Sequence, residues 1–348
     1  MKKSVVIVLA VVLVAVMLGA CSLGDTLGDL AEEGGGVTLS SSNDVAPAGE
    51  EAPVQVDGHV TEDTNENLGI VEINGETYEP KGNVTNILLM GIDSDADRVK
   101  NNQGWRSDML MLVTMDNDTN KITCTSIPRD TRADVHKLDG DGNITSTVTE
   151  KINHAYAYGG GPNKYSAQNA MRGVEELLEC GGMINVPIDY YISIDLDGVP
   201  KLANAIGGVE VTLDQSVPDV GKKGETVTLK GETTRKFLQN RYDMDNGEFA
   251  RQKHEQQFIK SLAREIKSMG AVEAAPELYD TFIKFMRTDV DMDTVLGLAS
   301  VLDNTSIDEM QFNLMQDGNA EVIGGTWYYR ASQDEMIKMM LEALYNKV

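Results

Sequence analysis

Ser126-Ile127-Pro128-Arg129-Asp130-Thr131 is the stretch on which the reading of this chain turns. It follows Lys121-Ile122-Thr123-Cys124-Thr125, a run with strand character. Pro128 has no backbone donor and drives Ile127 toward an extended conformation, so the strand should end there. Arg129 and Asp130 would then stand at the carboxyl end of a strand, where open α/β sheets bind ligands. Taken alone, such a pair is more often a structural ion pair.

Working outward, Val84 to Met90 is an apolar run ending in Gly91-Ile92-Asp93, the pattern of a buried strand. A polar loop from Ser94 to Trp105 separates it from Arg106-Ser107-Asp108 and the apolar run Met109 to Met115. That run pairs naturally with Lys121 to Ser126 across the turn Asp116 to Asn120. Nearer the N-terminus, Ile70 to Ile73, Asn74-Gly75 and Glu76 to Tyr78 read as a hairpin with a two-residue turn.

Downstream, Lys151-Ile152-Asn153-His154-Ala155-Tyr156-Ala157 precedes three glycines. Asn163 or Ser166 could cap a helix carrying Ala167, Ala170, Met171, Val174 and Leu178, which Gly181 and Gly182 stop. Tyr190 to Leu196 alternates like a strand, Val199 to Ile206 has helical spacing, and Val209 to Leu213 is a further strand. This alternation predicts a layered α/β domain. His154 by itself reads as a structural residue rather than a base.

Asn240 to Met269 carries the second informative pattern. Phe258, Leu262 and Ile266 mark one apolar helical stripe. Run backward, the stripe reaches Glu255, His254 and Arg251, so charged groups hold inward-facing positions at the start of the helix. Inward charge needs a partner or a ligand. Two readings stay open: an anion pocket at a helix N-terminus, or a buried cluster pairing Arg251 with Glu248 or Glu255.

The net charge of −25 argues against nonspecific nucleic-acid binding. The 41% hydrophobic content suffices for a sizeable core. Lys2 and Lys3 precede the apolar run Val5 to Ala20, and Cys21 follows. Sixteen helical residues reach ~24 Å, short of a ~30 Å hydrocarbon core. A cleaved signal is therefore expected over residues 1–21, with an uncleaved signal anchor as the alternative. Residues 22–67 have the low hydrophobicity and unbalanced acidity of a disordered linker, and an ordered domain is expected over 68–348. The acidic loop Asp139-Gly140-Asp141-Gly142-Asn143 fails the calcium-loop pattern at its sixth position, Ile144, and reads as a solvated insertion.

Together these segments resemble the LytR-CpsA-Psr family of bacterial cell-envelope proteins. The matching stretches are Asn86 to Asp93, Arg106-Ser107-Asp108, Ser126 to Thr131, Lys151 to Tyr156, Ile206 to Val211, Asn240-Arg241-Tyr242 and Arg251 to Phe258. The resemblance implies an extracytoplasmic three-layer αβα domain with a central mixed sheet and a hydrophobic polyprenyl pocket. It implies transfer of a glycopolymer, such as teichoic acid or capsule, from a polyprenyl-pyrophosphate carrier to peptidoglycan. By motif match, Asp93 and Asp108 would hold Mg2+, and Arg106, Arg129, Arg241 and Arg251 would contact the pyrophosphate. Lys151 is implied as a secondary contact, ahead of His154. The Leu18-Gly19-Ala20-Cys21 sequence resembles a lipoprotein box that would make Cys21 a lipidated membrane anchor.

Departures from the family pattern are Gln239 where a second clamp arginine is usual, and Glu255 where glutamine is usual. A carboxylate there repels pyrophosphate unless it is protonated or turned to Arg251 or the metal. The readings that remain are a glycopolymer phosphotransferase, a polyprenyl-pyrophosphate hydrolase, and a carrier-binding protein without catalysis. In the tail, Thr281 to Met286, Thr294 to Leu302 and Ser332 to Tyr345 have helical character. Met336, Met339, Met340 and Leu341 suit a core helix, or else a lipid slot. Export would permit a disulfide between Cys124 and Cys180.

Overall fold

The computed structural model describes residues 69–93, 105–161, 164–240, 247–269, 286–290, 294, 301–302 and 304–348. The expected signal with Cys21, the linker, Arg241 and most of 270–300 lie outside them. Among the described residues no helix is long and apolar enough to cross a membrane.

Strands β1 (Val71–Ile73) and β2 (Glu76–Pro80) form the expected hairpin. Asn74 and Gly75 sit at φ 54° and 78°, the left-handed pair that a two-residue turn requires. Next come β3 (Val84–Asp93), β4 (Arg106–Asp116) and β5 (Lys121–Ile127). These strands are buried on both faces, which is why they read as near-continuous apolar runs. Ile87, Leu89, Met111 and Val113 point into one core, whereas Leu88, Met90, Leu110 and Leu112 point into the other.

After Pro128 the chain forms β6 (Arg132–Leu138) and β7 (Ile144–Lys151), an antiparallel pair. The supposed insertion is the tip of this hairpin. Asp139 Oδ1 accepts the N–H groups of Asp141 and Asn143, both at 2.9 Å, so its acidity organises the turn. Helix α1 (His154–Tyr158) and helix α2 (Ser166–Leu178) follow. Ser166 lies inside α2 and does not cap it; its Oγ accepts the N–H of Gly161 at 2.8 Å. The exit from α2 is left-handed at Cys180, Gly181 and Gly182.

Strand β8 (Tyr190–Asp195), helix α3 (Val199–Ala205), strands β9 (Val209–Thr212) and β10 (Thr226–Leu229), and helices α4 (Gly231–Gln239) and α5 (Gly247–Met269) come next. The chain then gives β11 (Met286–Thr288), β12 (Gln311–Leu314), β13 (Asn319–Ile323), β14 (Thr326–Arg330), α6 (Gln333–Leu344) and β15 (Tyr345–Lys347). Met286, expected in a helix, instead opens β11, where it pairs with Ile194.

The central sheet has the order β11-β8-β3-β4-β5-β12. It is mixed: β3 runs parallel to β8 and antiparallel to β4, and β5 runs parallel to β12. Side chains of α3, α4 and α5 fill one core, and those of α1, α2 and α6 fill the other. Helices therefore cover both faces. Met336, Met340 and Leu341 are buried in the second core with Met339 packed against it, which bears out the core-helix reading. Cys124 lies in the first core and Cys180 in the second, and both are free. The sheet stands between them, so the disulfide that export would permit is not formed.

Candidate active site

The site forms where β4, β5 and α5 converge. Opposite Gly91-Ile92 the register of β4 shifts, with Gly91 paired to Met109 and Ile92 to Ser107. Asp108 is the extra residue of this bulge, a device that re-aims a side chain. Its Oδ2 accepts from Arg129 Nη1 at 2.8 Å and its Oδ1 from Asn153 Nδ2 at 3.1 Å. Its backbone carbonyl accepts from Arg251 Nη2 at 3.2 Å. One bulged residue thus gathers groups from three other segments.

The loop after Pro128 is stapled as its sequence requires. The N–H and the hydroxyl of Thr131 both donate to the Pro128 carbonyl, at 2.9 and 2.6 Å. Arg129 Nε lies 3.7 Å from Asp130 and 3.9 Å from Glu248. Lys151, at the end of β7, is held by Asp130 at 2.6 Å.

Arg251 and Glu255 face inward as the stripe predicts, each with its side chain only 1% exposed. Arg251 bonds to Glu248 and to Glu255, so the buried cluster at this helix end forms. Burial, opposed by Arg251, pushes the Glu255 carboxyl up to about 8. At neutral pH its oxygen therefore accepts from Arg251 as an amide oxygen would, without adding full negative charge. This answers the repulsion that a carboxylate at this position raises. His254, also buried, takes a structural place: it stacks on Phe237 with 4.5 Å between ring centroids and contacts Gln215.

Buried polar atoms without hydrogen-bond partners gather here: Arg106 Nε, Asn153 Oδ1 and both ring nitrogens of His154. Such groups are rare in folded proteins and call for a ligand or water. Burial first, then the charge of Arg106, push His154 down to about 4, so its ring is neutral and adds no charge. Arg106, among the described residues, makes no ion pair. It is the cation most available to an incoming anion, while Arg129, Arg251 and Lys151 are held by carboxylates.

The structure thus brings Asp108, Arg129, Lys151, Arg251 and Glu255 into one connected network, with Arg106 beside it and Asp93 paired with Arg106 in register. Arg241 lies outside the described residues. Sequence reasoning missed the role of Asn153, although a polar residue between Ile152 and the apolar face of α1 was a usable signal. It also missed Tyr329, whose N–H donates to the Asp130 carbonyl at 2.9 Å; nothing local to Tyr329 reveals that contact.

Asp93 and Asp108 offer only carboxylate oxygens, the hard donors that Mg2+ prefers. No group of three or more metal-ligating side chains exists among the described residues. Both carboxylate oxygens of Asp108 already accept, from Arg129 and Asn153, so Mg2+ there would have to share them.

A mixed α/β domain with a buried network of arginines and carboxyl groups at its strand ends defines the class, with the site where such sheets bind ligands. Residues 49–344 match the LytR_cpsA_psr family, and the chain belongs to it. It is 31% identical over 268 residues to the polyisoprenyl-teichoic acid–peptidoglycan teichoic acid transferase TagU of Enterococcus faecalis, covering 74% of this chain and 77% of that protein. It is 31% identical over 280 residues to the TagU of Oceanobacillus iheyensis, covering 78% of each. The crystal structure of protein gbs0355 from Streptococcus agalactiae shares the fold, with a TM-score of 0.60 at 24% identity, over 74% of this chain and 88% of that one.

Proposed function

We propose that this protein is an extracytoplasmic transferase that moves a glycopolymer from a polyprenyl-pyrophosphate carrier to peptidoglycan. The observation that carries the reading is the set of unmet buried polar atoms around Arg106, beside the Asp108–Arg129–Arg251 network. A pyrophosphate oxygen supplies an acceptor for Arg106 Nε, and the one N–H of the neutral His154 ring can donate to the same anion. The relatives named above, which are teichoic acid transferases, support the same chemistry.

In this reading Arg106 and Arg129 bind the pyrophosphate, with Arg241 and Arg251 completing the clamp and Lys151 as a secondary contact. Glu255 belongs to the substrate-binding set through Arg251, which it holds in place. Asp93 and Asp108 would hold Mg2+, which when bound neutralises phosphate charge that builds in phosphoryl transfer. An acceptor hydroxyl of peptidoglycan forms the new bond to the glycopolymer-bearing phosphorus as its bond to the bridging oxygen breaks, so that polyprenyl phosphate leaves and the hydroxyl proton passes to water. Positioning and fixed positive charge are the protein's contribution, because such a transfer asks for little else. Cys21 would carry the lipid that tethers the domain to the outer face of the membrane, with residues 22–67 as the tether.

Release of polyprenyl phosphate, measured with and without peptidoglycan, tests the proposal. Release that requires the acceptor is expected. Equal release in water alone would mark a hydrolase, and none in either case would leave a carrier-binding protein.

A further inference from the structure

Three large apolar side chains stand exposed together on β13–β14: Val322, Ile323 and Trp327, at 67%, 43% and 42%. Val322 and Trp327 are cross-strand partners and so share one face. Ile323 faces Thr326 across the turn Gly324-Gly325, whose φ values of 58° and 83° make a tight two-residue tip. From Val322 to Trp327 no residue is charged, in a chain where 24% of residues are. Exposed hairpin ends in water are ordinarily blunted with charge.

The base of this hairpin is fixed to the active site. Tyr329 donates its N–H to the Asp130 carbonyl and bridges Thr131. Its ring meets Phe249, at the start of α5, edge-on at 5.5 Å. The Tyr328 hydroxyl donates to Glu150 at 3.0 Å. Tyr329 lies three positions along β14 from Thr326 at the turn, about 10 Å at ~3.4 Å per residue. The apolar tip is therefore held at a set distance from Arg129.

We propose that this tip docks on the lipid bilayer, seating Val322, Ile323 and Trp327 at the boundary of headgroups and acyl chains. The inference rests on the function proposed above, because a pyrophosphate carried on a polyprenyl chain stays at the bilayer surface and must be met there. Tryptophan favours that interface, and apolar faces of peripheral elements enter it by about 5–10 Å. A depth of that order brings the Arg129 loop close to the plane of the headgroups. The net charge of −25 opposes approach to an anionic leaflet, so docking runs on apolar burial. Added salt should then strengthen it on anionic vesicles, the reverse of a basic membrane-binding patch.

The test uses the full chain on phosphatidylcholine vesicles, with and without brominated acyl chains. Trp327 emission should shift to the blue and be quenched by at least about twofold in brominated vesicles, as an interfacial indole would be. Trp327→Phe should remove that response and leave the signal of Trp105. In a second arm, Ile323→Ser with Trp327→Ser should lower transfer from a vesicle-embedded donor by at least about tenfold, the weight of lost apolar insertion. The same variant should leave transfer from a water-soluble short-chain donor unchanged, and Val322→Ser should act in the same direction. Unquenched Trp327 overturns the proposal, as does an equal loss on both donors. So does a concentration-dependent self-association that Trp327→Ser abolishes without any quenching, which would make the tip a protein-binding face. If neither donor is turned over while Trp327 is quenched, the transferase reading fails and the docking stands.

Discussion

Glu255 shows how a residue of the wrong charge is accommodated. Its carboxyl is enclosed with Arg251, and burial raises it to about 8 from an ordinary 4.5. Between those values the native state keeps a proton that the unfolded chain has released, so stability must fall as pH rises from about 4.5 to about 8. This one group should cost on the order of 3 kcal/mol across that window. Urea unfolding at pH 5 and pH 8 measures it, and Glu255→Gln should flatten the difference. Arg251→Ala removes the donor that Glu248, Glu255 and the Asp108 carbonyl share, and should destabilise the fold at every pH. Its unfolding midpoint should drop accordingly, whereas Glu255→Gln should hold. Asp108 is argued on other grounds, since it joins Arg129, Asn153 and the proposed Mg2+. Asp108→Asn should abolish magnesium-dependent turnover with an unchanged circular dichroism spectrum. Calorimetric titration of Mg2+ should lose its heat signal in that variant. Unaltered activity at limiting magnesium would remove Asp108 from the metal site.

At the scale of elements, the ends of strands and helices decide what the site can do. Pro128 stops β5, and the turn that follows turns Arg129 back on Asp108. The bulge in β4 delivers Asp108 to the same place. α5 enters with Glu248 in its first turn and Arg251 one turn on, so its start is both a fold element and a wall of the pocket. α6, by contrast, is structural. Its cap, Ser332, accepts the N–H of Glu335 at 3.3 Å. Ser332→Ala should lower stability by about 1 kcal/mol, read as a shift in denaturant midpoint with unchanged slope. Transfer activity should be unaffected, because α6 packs in the core on the face away from α5.

Across the whole molecule, the sheet separates two cores, and each holds one cysteine. Burial pushes the Cys124 thiol up to about 12 and the Cys180 thiol up to about 11. Both should resist alkylation at pH 8 in the folded state, because the thiolate is the reactive form. Peptide mass spectrometry should find neither modified before denaturation, and both modified after it. A disulfide-linked peptide pair would contradict the topology. The first described hairpin and the last described strand are also tied together: β15 pairs with β2, and the N–H of Lys81 donates to the Leu344 carbonyl at 2.9 Å. Loss of the last four residues should therefore loosen the N-terminal hairpin before it touches the site.

Much of this was legible in the residues themselves. Apolar runs such as Met109 to Met115 declare a strand buried on both faces, and Asn74-Gly75 declares its turn, because these signals are local. The inward place of Arg251 and Glu255 follows from helical spacing alone. What the sequence could not hold was who meets whom. Spacing left open which carboxyl groups Arg251 would meet, and packing brought both Glu248 and Glu255 onto the guanidinium. Export allowed Cys124 and Cys180 to pair, yet the sheet between them forbids it. The loop Asp139 to Asn143 passed for an insertion because the exposed, polar β7 beside it carries no apolar alternation to mark a hairpin. Side-chain period and turn chemistry are properties of neighbours in the chain, whereas charge pairing and burial depend on segments that meet only in the folded protein.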